Sequence, residues 1–104
     1  MARGTTLTDE NKGFLRQIIK HFETFAAITG DDAESRAIRA EGHFRVGLMR
    51  YRLGELKEAE SAYADALAIY KQLAADFPTR PEFRRELAAS HINLGILLHD
   101  TGRL

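Results

Sequence analysis

The chain contains 104 residues, of which 44% are hydrophobic and 29% are charged, which allows one compact domain and excludes two independent ones. Its 15 lysines and arginines are balanced by 15 aspartates and glutamates, so the composition carries no broad electrostatic footprint for nucleic acid or an anionic membrane. The absence of cysteine excludes disulfides, thiolate metal sites and cysteine nucleophiles.

Residue usage favours helix along the whole chain. Alanine, leucine, arginine and glutamate are abundant, only two prolines occur, and no alternating β-branched segment is present. The apolar stretches are far shorter than the roughly 20 residues that a membrane span needs. The first residues, MARGTTLTDENKG, contain no signal-peptide core. We therefore expect a soluble, cytoplasmic, all-α protein without a membrane partner.

Four helices joined by short connections are predicted. In chain order they span about 9–29, 33–53, 56–76 and 81–101, with 1–8 as a flexible N-terminal segment and 9–104 as a single domain. In the first helix Phe14, Ile18, Phe22 and Phe25 recur at three- and four-residue steps, and Gly30 provides a left-handed stop. This pattern predicts an amphipathic helix that ends just before Gly30.

Capping residues mark where the second helix begins and ends. Asp31 and Asp32 precede its start, and Glu34, three residues after Asp31, resembles a capping box. Gly54 follows its end and leaves only a tight turn before the third helix. We therefore expect the second and third helices to form an antiparallel pair.

The third and fourth helices are separated by a short proline-containing segment. Phe77-Pro78 ends the third helix because the residue before proline disfavours the helical conformation. The run from Thr79 to Glu82 repeats the capping pattern, and Pro81 fits the opening turn of the fourth helix. The prediction is that Thr79 belongs to the cap of the fourth helix.

An internal repeat relates the two halves of the chain. A shift of 48 residues lays the unit 9–56 on the unit 57–104 without a gap and pairs Gly47 with Gly95 and Gly54 with Gly102. Conservative apolar pairs, such as Phe44 with Ile92, fill the positions between the glycines. A fixed period of this kind is typical of helical-repeat architectures. We expect Gly47 and Gly95 to be sites where two helices cross closely.

The run VGLMRYRLGELKEAESAYADAL resembles a tetratricopeptide repeat, and INLGILLHDTGRL resembles the start of another. The anchors are the Leu94-Gly95 pair and the small-large-small spacing of Ala59, Tyr63 and Ala66. The later part of the chain is similar to the tetratricopeptide arrays that follow kinase domains in large bacterial serine/threonine kinases, but it contains no kinase motif. The resemblance implies an antiparallel α-solenoid fragment that acts as a noncatalytic protein–protein interaction scaffold.

One face of the second and fourth helices is the predicted partner-binding groove, because this face lines the concave surface of such arrays. Its residues are Phe44, Arg45, Leu48, Tyr51, Arg52, Asn93 and Ile96. Asn93 coincides with the asparagine with which many peptide-binding tetratricopeptide domains hold a ligand. The mixture of arginines and aromatic rings favours an acidic or carboxylate-ended peptide. The alternative interpretation is an ordinary solvated face.

No catalytic, metal-binding or cofactor-binding residues are assigned. The serines lie on predicted helices without a strained turn or a base partner. His43 and His91 lie one repeat apart, which is too far for shared zinc ligation. We interpret the four histidines as imidazoles packed between helices. A small metal-dependent enzyme remains the least favoured alternative function.

The charges are unevenly divided between neighbouring helices. The second predicted helix is rich in arginine, and the third, with Glu55 before it, is rich in carboxylates. We expect these helices to pair with each other, with the Arg50 guanidinium reaching a carboxylate of the third helix. Because a nucleic-acid site would leave such cations unpaired, a nucleic-acid-binding regulatory domain is the alternative, and no nucleic-acid partner is expected.

Self-association is also expected, because the fourth helix carries apolar residues around most of its circumference. The predicted contact residues are Ile92, Ile96 and Leu97. Two such surfaces packing about a twofold axis predict a symmetric homodimer, since closed dimers are the commonest oligomers. The alternative is a second copy that docks through its first helix.

Overall fold

A computed structural model describes residues 7–103 and confirms an all-α fold of four helices. The helices are α1 (Asp9–Ala26), α2 (Ala33–Arg52), α3 (Leu56–Asp76) and α4 (Pro81–Asp100). The predicted flexible segment 1–8 falls mostly on residues 1–6, which lie outside the described part, as does Leu104. Within residues 7–103, no helix is both long and apolar enough to cross a membrane.

Helix α1 ends three residues earlier than the sequence predicts. Ala27 is its C-cap, and its N–H donates to the carbonyl of Glu23. The guanidinium of Arg39 then donates to the carbonyl oxygens of Ile28 and Gly30, at 2.8 and 3.2 Å. These contacts satisfy backbone acceptors in the connection, so the chain can leave the helix before Gly30.

The helix starts are capped less uniformly than predicted. The Asp32 carboxylate accepts a hydrogen bond from the backbone N–H of Ser35, so Asp32 is the N-cap of α2. The predicted capping box between Asp31 and Glu34 is therefore not formed. The N-cap of α4 is Arg80, which has no side-chain capping bond, so the predicted capping role of Thr79 is wrong. Pro81 opens α4, as predicted.

Each helix packs mainly against the next one along the chain. The pairs α1·α2, α2·α3 and α3·α4 supply most of the contacts between helices, and short connections make consecutive helices antiparallel. Gly54 and Gly102 end α2 and α4 with φ values of 78° and 75°, a conformation that glycine adopts without steric cost. The two halves of the repeat therefore turn at equivalent places.

The core consists of two clusters that meet at α2. The larger cluster joins α2, α3 and α4 around Tyr63, Leu73 and Leu97, all of which are almost completely buried. The smaller cluster joins α1 to α2 and α3 through Leu15, Ile19, Val46, Met49 and Ala62. Because α2 contributes to both clusters, it positions α1 on one side and the α3·α4 pair on the other.

The two equivalent glycines have different surroundings. A Cβ atom on Gly47 would lie 2.6 Å from Cδ1 of Tyr63, so the predicted close crossing is confirmed there. A Cβ atom on Gly95 would meet no described atom within 4 Å, so the same prediction is wrong for Gly95. The second close crossing is instead at Gly42, where a Cβ would lie 2.4 Å from the backbone nitrogen of Ala26.

Candidate functional site

A concave pocket lies where α2, α3 and α4 meet. It has a volume of about 240 Å³ and is lined by Leu48, Tyr51, Arg52, Tyr63, Asn93 and Ile96. Pockets for drug-sized ligands usually occupy about 300–1,000 Å³. The pocket therefore has the size for one or two side chains of a larger partner rather than for a whole cofactor.

Apolar groups line most of this pocket. Leu48 projects from α2, the ring of Tyr63 comes from α3, and Ile96 projects from α4 with half of its surface exposed. Burial of the Tyr63 hydroxyl raises its pKa to about 12. Tyr63 is therefore neutral at physiological pH and presents an uncharged ring to the pocket.

Two polar side chains on different helices frame the pocket. Nδ2 of Asn93 donates a hydrogen bond to the carbonyl oxygen of Ala89, at 2.9 Å, which fixes the amide against α4. The second Nδ2 hydrogen and the Oδ1 acceptor of this amide make no hydrogen bond within residues 7–103. Arg52 is exposed and forms no ion pair with any carboxylate of residues 7–103. The pocket therefore offers one cation and one oriented amide.

A hydrogen bond between α2 and α4 lies at the edge of the pocket. The hydroxyl of Tyr51 donates to the carboxylate of Asp100, and this bond raises the pKa of Tyr51. It holds the Tyr51 ring between the two helices that supply the polar groups. The sequence places Tyr51 on the groove but gives no indication of its partner, because the two residues are 49 positions apart.

Five of the seven predicted groove residues line the pocket and two do not. Phe44 is buried in the larger core cluster, with its ring centroid 5.9 Å from that of Tyr63, so it does not form a groove wall. Nε of Arg45 lies 2.6 Å from a carboxylate oxygen of Glu41 on its own helix. Tyr63 also lines the pocket, although its spacing in the sequence predicts only a packing residue.

The predicted self-association residues divide in the same way. Ile92 and Ile96 are 62% and 50% exposed on α4, as a contact surface requires. Leu97 is fully buried in the core, so its assignment to the surface is wrong. The reason is that Leu97 lies on the side of α4 that packs against α3.

Three of the four histidines do not lie between helices as predicted. His21, His91 and His99 are exposed, and His43 is partly exposed with Nδ1 3.8 Å from a carboxylate oxygen of Asp65. Within residues 7–103 no group of three or more histidine and carboxylate side chains is placed to hold a metal ion.

Arginines of α2 pair with carboxylates at both ends of α3. Arg36 lies 3.0 Å from Asp76, and Arg50 lies 2.8 Å from Glu55, the N-cap residue of α3. Glu55 also accepts a hydrogen bond from Arg16 of α1 at 2.6 Å, and this bond, followed by that from Arg50, lowers the pKa of Glu55. The expected pairing of α2 with α3 is confirmed, with Glu55 as the carboxylate that Arg50 reaches.

Comparison with protein-family models, curated proteins and solved structures finds no significant match to this chain.

Proposed function

We propose that the chain is a noncatalytic binding module of the tetratricopeptide-like type, whose pocket between α2, α3 and α4 holds a peptide. The observation that carries the proposal is the convergence of five predicted groove residues, from two helices, on one concave surface. The tetratricopeptide-like assignment is supported by the complete burial of Ala59, Tyr63 and Ala66, the three residues of the small-large-small spacing.

The chemistry of the pocket favours an apolar side chain next to a carboxylate. Leu48, Ile96 and the Tyr63 ring supply an apolar surface from which a side chain excludes water. Arg52 supplies a charge for an adjacent carboxylate, since arginine binds carboxylates with two parallel hydrogen bonds. The Asn93 amide has a donor and an acceptor left for the peptide backbone.

The pairing of the other arginines favours a peptide over a nucleic acid. Arg36, Arg45 and Arg50 each lie within 3.0 Å of a carboxylate oxygen. Nucleic-acid binding is favoured when lysines and arginines neutralise phosphates and displace the counterions condensed on them, and these three arginines already have carboxylate partners. We therefore expect no salt-dependent binding to generic DNA.

Fluorescence anisotropy with short labelled peptides tests the proposal. The set contains peptides that end in leucine or phenylalanine, each made once with a free C-terminal carboxylate and once with an amidated C-terminus. It also includes peptides in which an internal aspartate lies beside the apolar residue. We expect binding that needs a carboxylate and that Arg52→Glu weakens by about tenfold or more, equivalent to about 1.4 kcal/mol. Lys71→Glu is the matched control because Lys71 is exposed on α3 and does not line the pocket.

Two results would contradict the proposal. One is the absence of binding by every peptide of the set at high micromolar concentration. The other is equal binding of free and amidated peptides together with equal affinity of Arg52→Glu and Lys71→Glu. The second result would show that Arg52 has no part in recognition.

A further inference from the structure

Helix α4 has one covered side and one uncovered side. Phe83, Ser90 and Leu97 are buried on the side that faces α3. On the other side lie Ala88, Ile92, Gly95 and His99, which are related by three- and four-residue steps and which we name the open α4 face. Ile92 is 62% exposed, and no described atom lies within 4 Å of a Cβ on Gly95.

The internal repeat indicates which kind of surface fits the open α4 face. The 48-residue shift relates it to Ala40, Phe44, Gly47 and Tyr51 of α2. That face of α2 is covered by α3: Ala40 is completely buried, and Gly47 receives the ring of Tyr63. The equivalent face of α4 therefore has the form of a site for a helix of the α3 type.

Helix α1 is equivalent to α3 in the repeat, and it also has an uncovered side. Leu15 and Ile19 are buried against α2. Beside this buried side, Phe14, Ile18, His21 and Phe25 form what we name the open α1 face. Phe14 is 64% exposed and His21 is exposed, whereas Ile18 and Phe25 are half-buried where this face borders α2. The shift relates this face to Ala62, Ala66, Ile69 and Leu73 of α3.

The α3 residues equivalent to the open α1 face are core residues. Ala66 and Leu73 are completely buried, and Ala62 is 8% exposed, in a cluster with Val46 and Met49 of α2. The side of α3 that carries these residues is thus the side that meets the helix before it. In α1 the same side carries the exposed residues Phe14 and His21, while Ile18 packs at the edge of the cluster that α1 shares with α2.

We infer that a second copy of this chain binds head to tail, with the open α1 face of one copy covering the open α4 face of the other. In this contact, α4 of one copy packs against α1 of the other in the same way that α2 packs against α3 within one copy. The space beside Gly95 leaves room for apolar side chains of α1, among which Phe14 is the most exposed. The two faces are different surfaces, so the interface is heterologous and each bound copy leaves one face available for another.

The same correspondence argues against a twofold contact between two α4 helices. Within the chain, the α2 face equivalent to the open α4 face is covered by a helix of the other type, α3. In a twofold contact the open α4 face would pack against the open α4 face of the second copy, and Phe14 would stay exposed. The head-to-tail arrangement instead covers both exposed faces with one contact.

The experiment measures the mass of the 104-residue chain by light scattering from low to high micromolar concentration. The wild-type mass should rise above the monomer value of 11.7 kDa. Phe14→Glu, which alters only the open α1 face, and Ile92→Glu, which alters only the open α4 face, should each remain monomeric. Mixed together, the two variants should form a one-to-one dimer, because each still has the intact face that the other needs.

Other outcomes would overturn the inference. A wild-type chain that stays monomeric at high micromolar concentration excludes self-association. A Phe14→Glu variant that dimerises alone shows a twofold α4 contact instead, and a mixture that stays monomeric excludes head-to-tail docking. Both replaced side chains are largely exposed, so the fold should be retained. Circular dichroism checks this, and Phe14→Ser and Ile92→Ser provide milder substitutions for the same mixing test.

Discussion

Replacing Gly47 with alanine should leave the protein less stable than replacing Gly95 with alanine. At Gly47 the new Cβ would lie 2.6 and 2.7 Å from two carbons of the Tyr63 ring. That ring is 1% exposed and is packed within the larger core cluster, so displacing it disturbs the side chains around it. Overpacking of a well-packed core usually costs about 1–3 kcal/mol.

At Gly95 the added methyl group meets no described atom, so only the change in helix propensity remains. Alanine is favoured over glycine inside a helix by about 1 kcal/mol, and Gly95→Ala should raise the free energy of unfolding by up to that amount. The same gain applies at Gly47 and cancels when the two variants are compared. The difference between them therefore isolates the overpacking at Tyr63, about 1–3 kcal/mol.

Thermal unfolding followed by circular dichroism at low micromolar concentration measures this difference. For a domain of this size about 1 kcal/mol corresponds to roughly 4–8 °C in melting temperature, so Gly47→Ala should melt well below Gly95→Ala. Equal melting temperatures would refute the close approach of α2 and α3 at Gly47. A lower melting temperature for Gly95→Ala would refute the open space beside Gly95.

Two further predictions concern a helix cap and an ion-pair network. Asp32→Ala should lower the melting temperature by several degrees, because it leaves the Ser35 N–H without its acceptor, whereas Thr79→Ala should change it little. Glu55→Gln should cost about 1 kcal/mol at neutral pH. Since Arg16 and Arg50 lower the pKa of Glu55 below its unfolded value, the stability that Glu55 adds is present above that value and is lost as the pH falls through the folded pKa. Urea unfolding of the wild type and of Glu55→Gln at pH 7 and at acid pH measures this effect. If the difference in unfolding free energy between the two proteins were the same at both pH values, the role of the network would be contradicted.

The sequence predicts the four helices well because their signals are local. Apolar periodicity, Pro81 and the glycine after α2 act within a few residues of the elements they mark. The end of α1 is predicted less well because Ala27, Ile28 and Thr29 do not oppose helix, and the contact that fixes the connection comes from Arg39 on the next helix. Local pattern cannot predict a helix end that depends on such a tertiary contact.

The candidate site is predicted in part for the same reason. Three- and four-residue spacing places groove residues on common helix faces, but it does not tell which side of a helix is buried when apolar residues occur on several sides. This is why Phe44 and Leu97 are core residues rather than surface residues. The close crossing at Gly42 does have a sign in the sequence, because the repeat shift pairs Gly42 with Ser90, a second small residue. Ser90 is completely buried in the structure.

The succession of contacts, α1 to α2 to α3 to α4, also determines how the molecule opens. In such a one-dimensional array the stability of each helix depends on its immediate neighbours, and unfolding proceeds inward from the ends. Within residues 7–103, helices α2 and α3 each pack extensively against two helices, whereas α1 and α4 each pack extensively against one. In the described four-helix unit, α1 and α4 are therefore the helices expected to fray at the lowest free energy. A partner that packs against α1 or α4 gives that helix a second neighbour. Local unfolding then begins farther from the pocket.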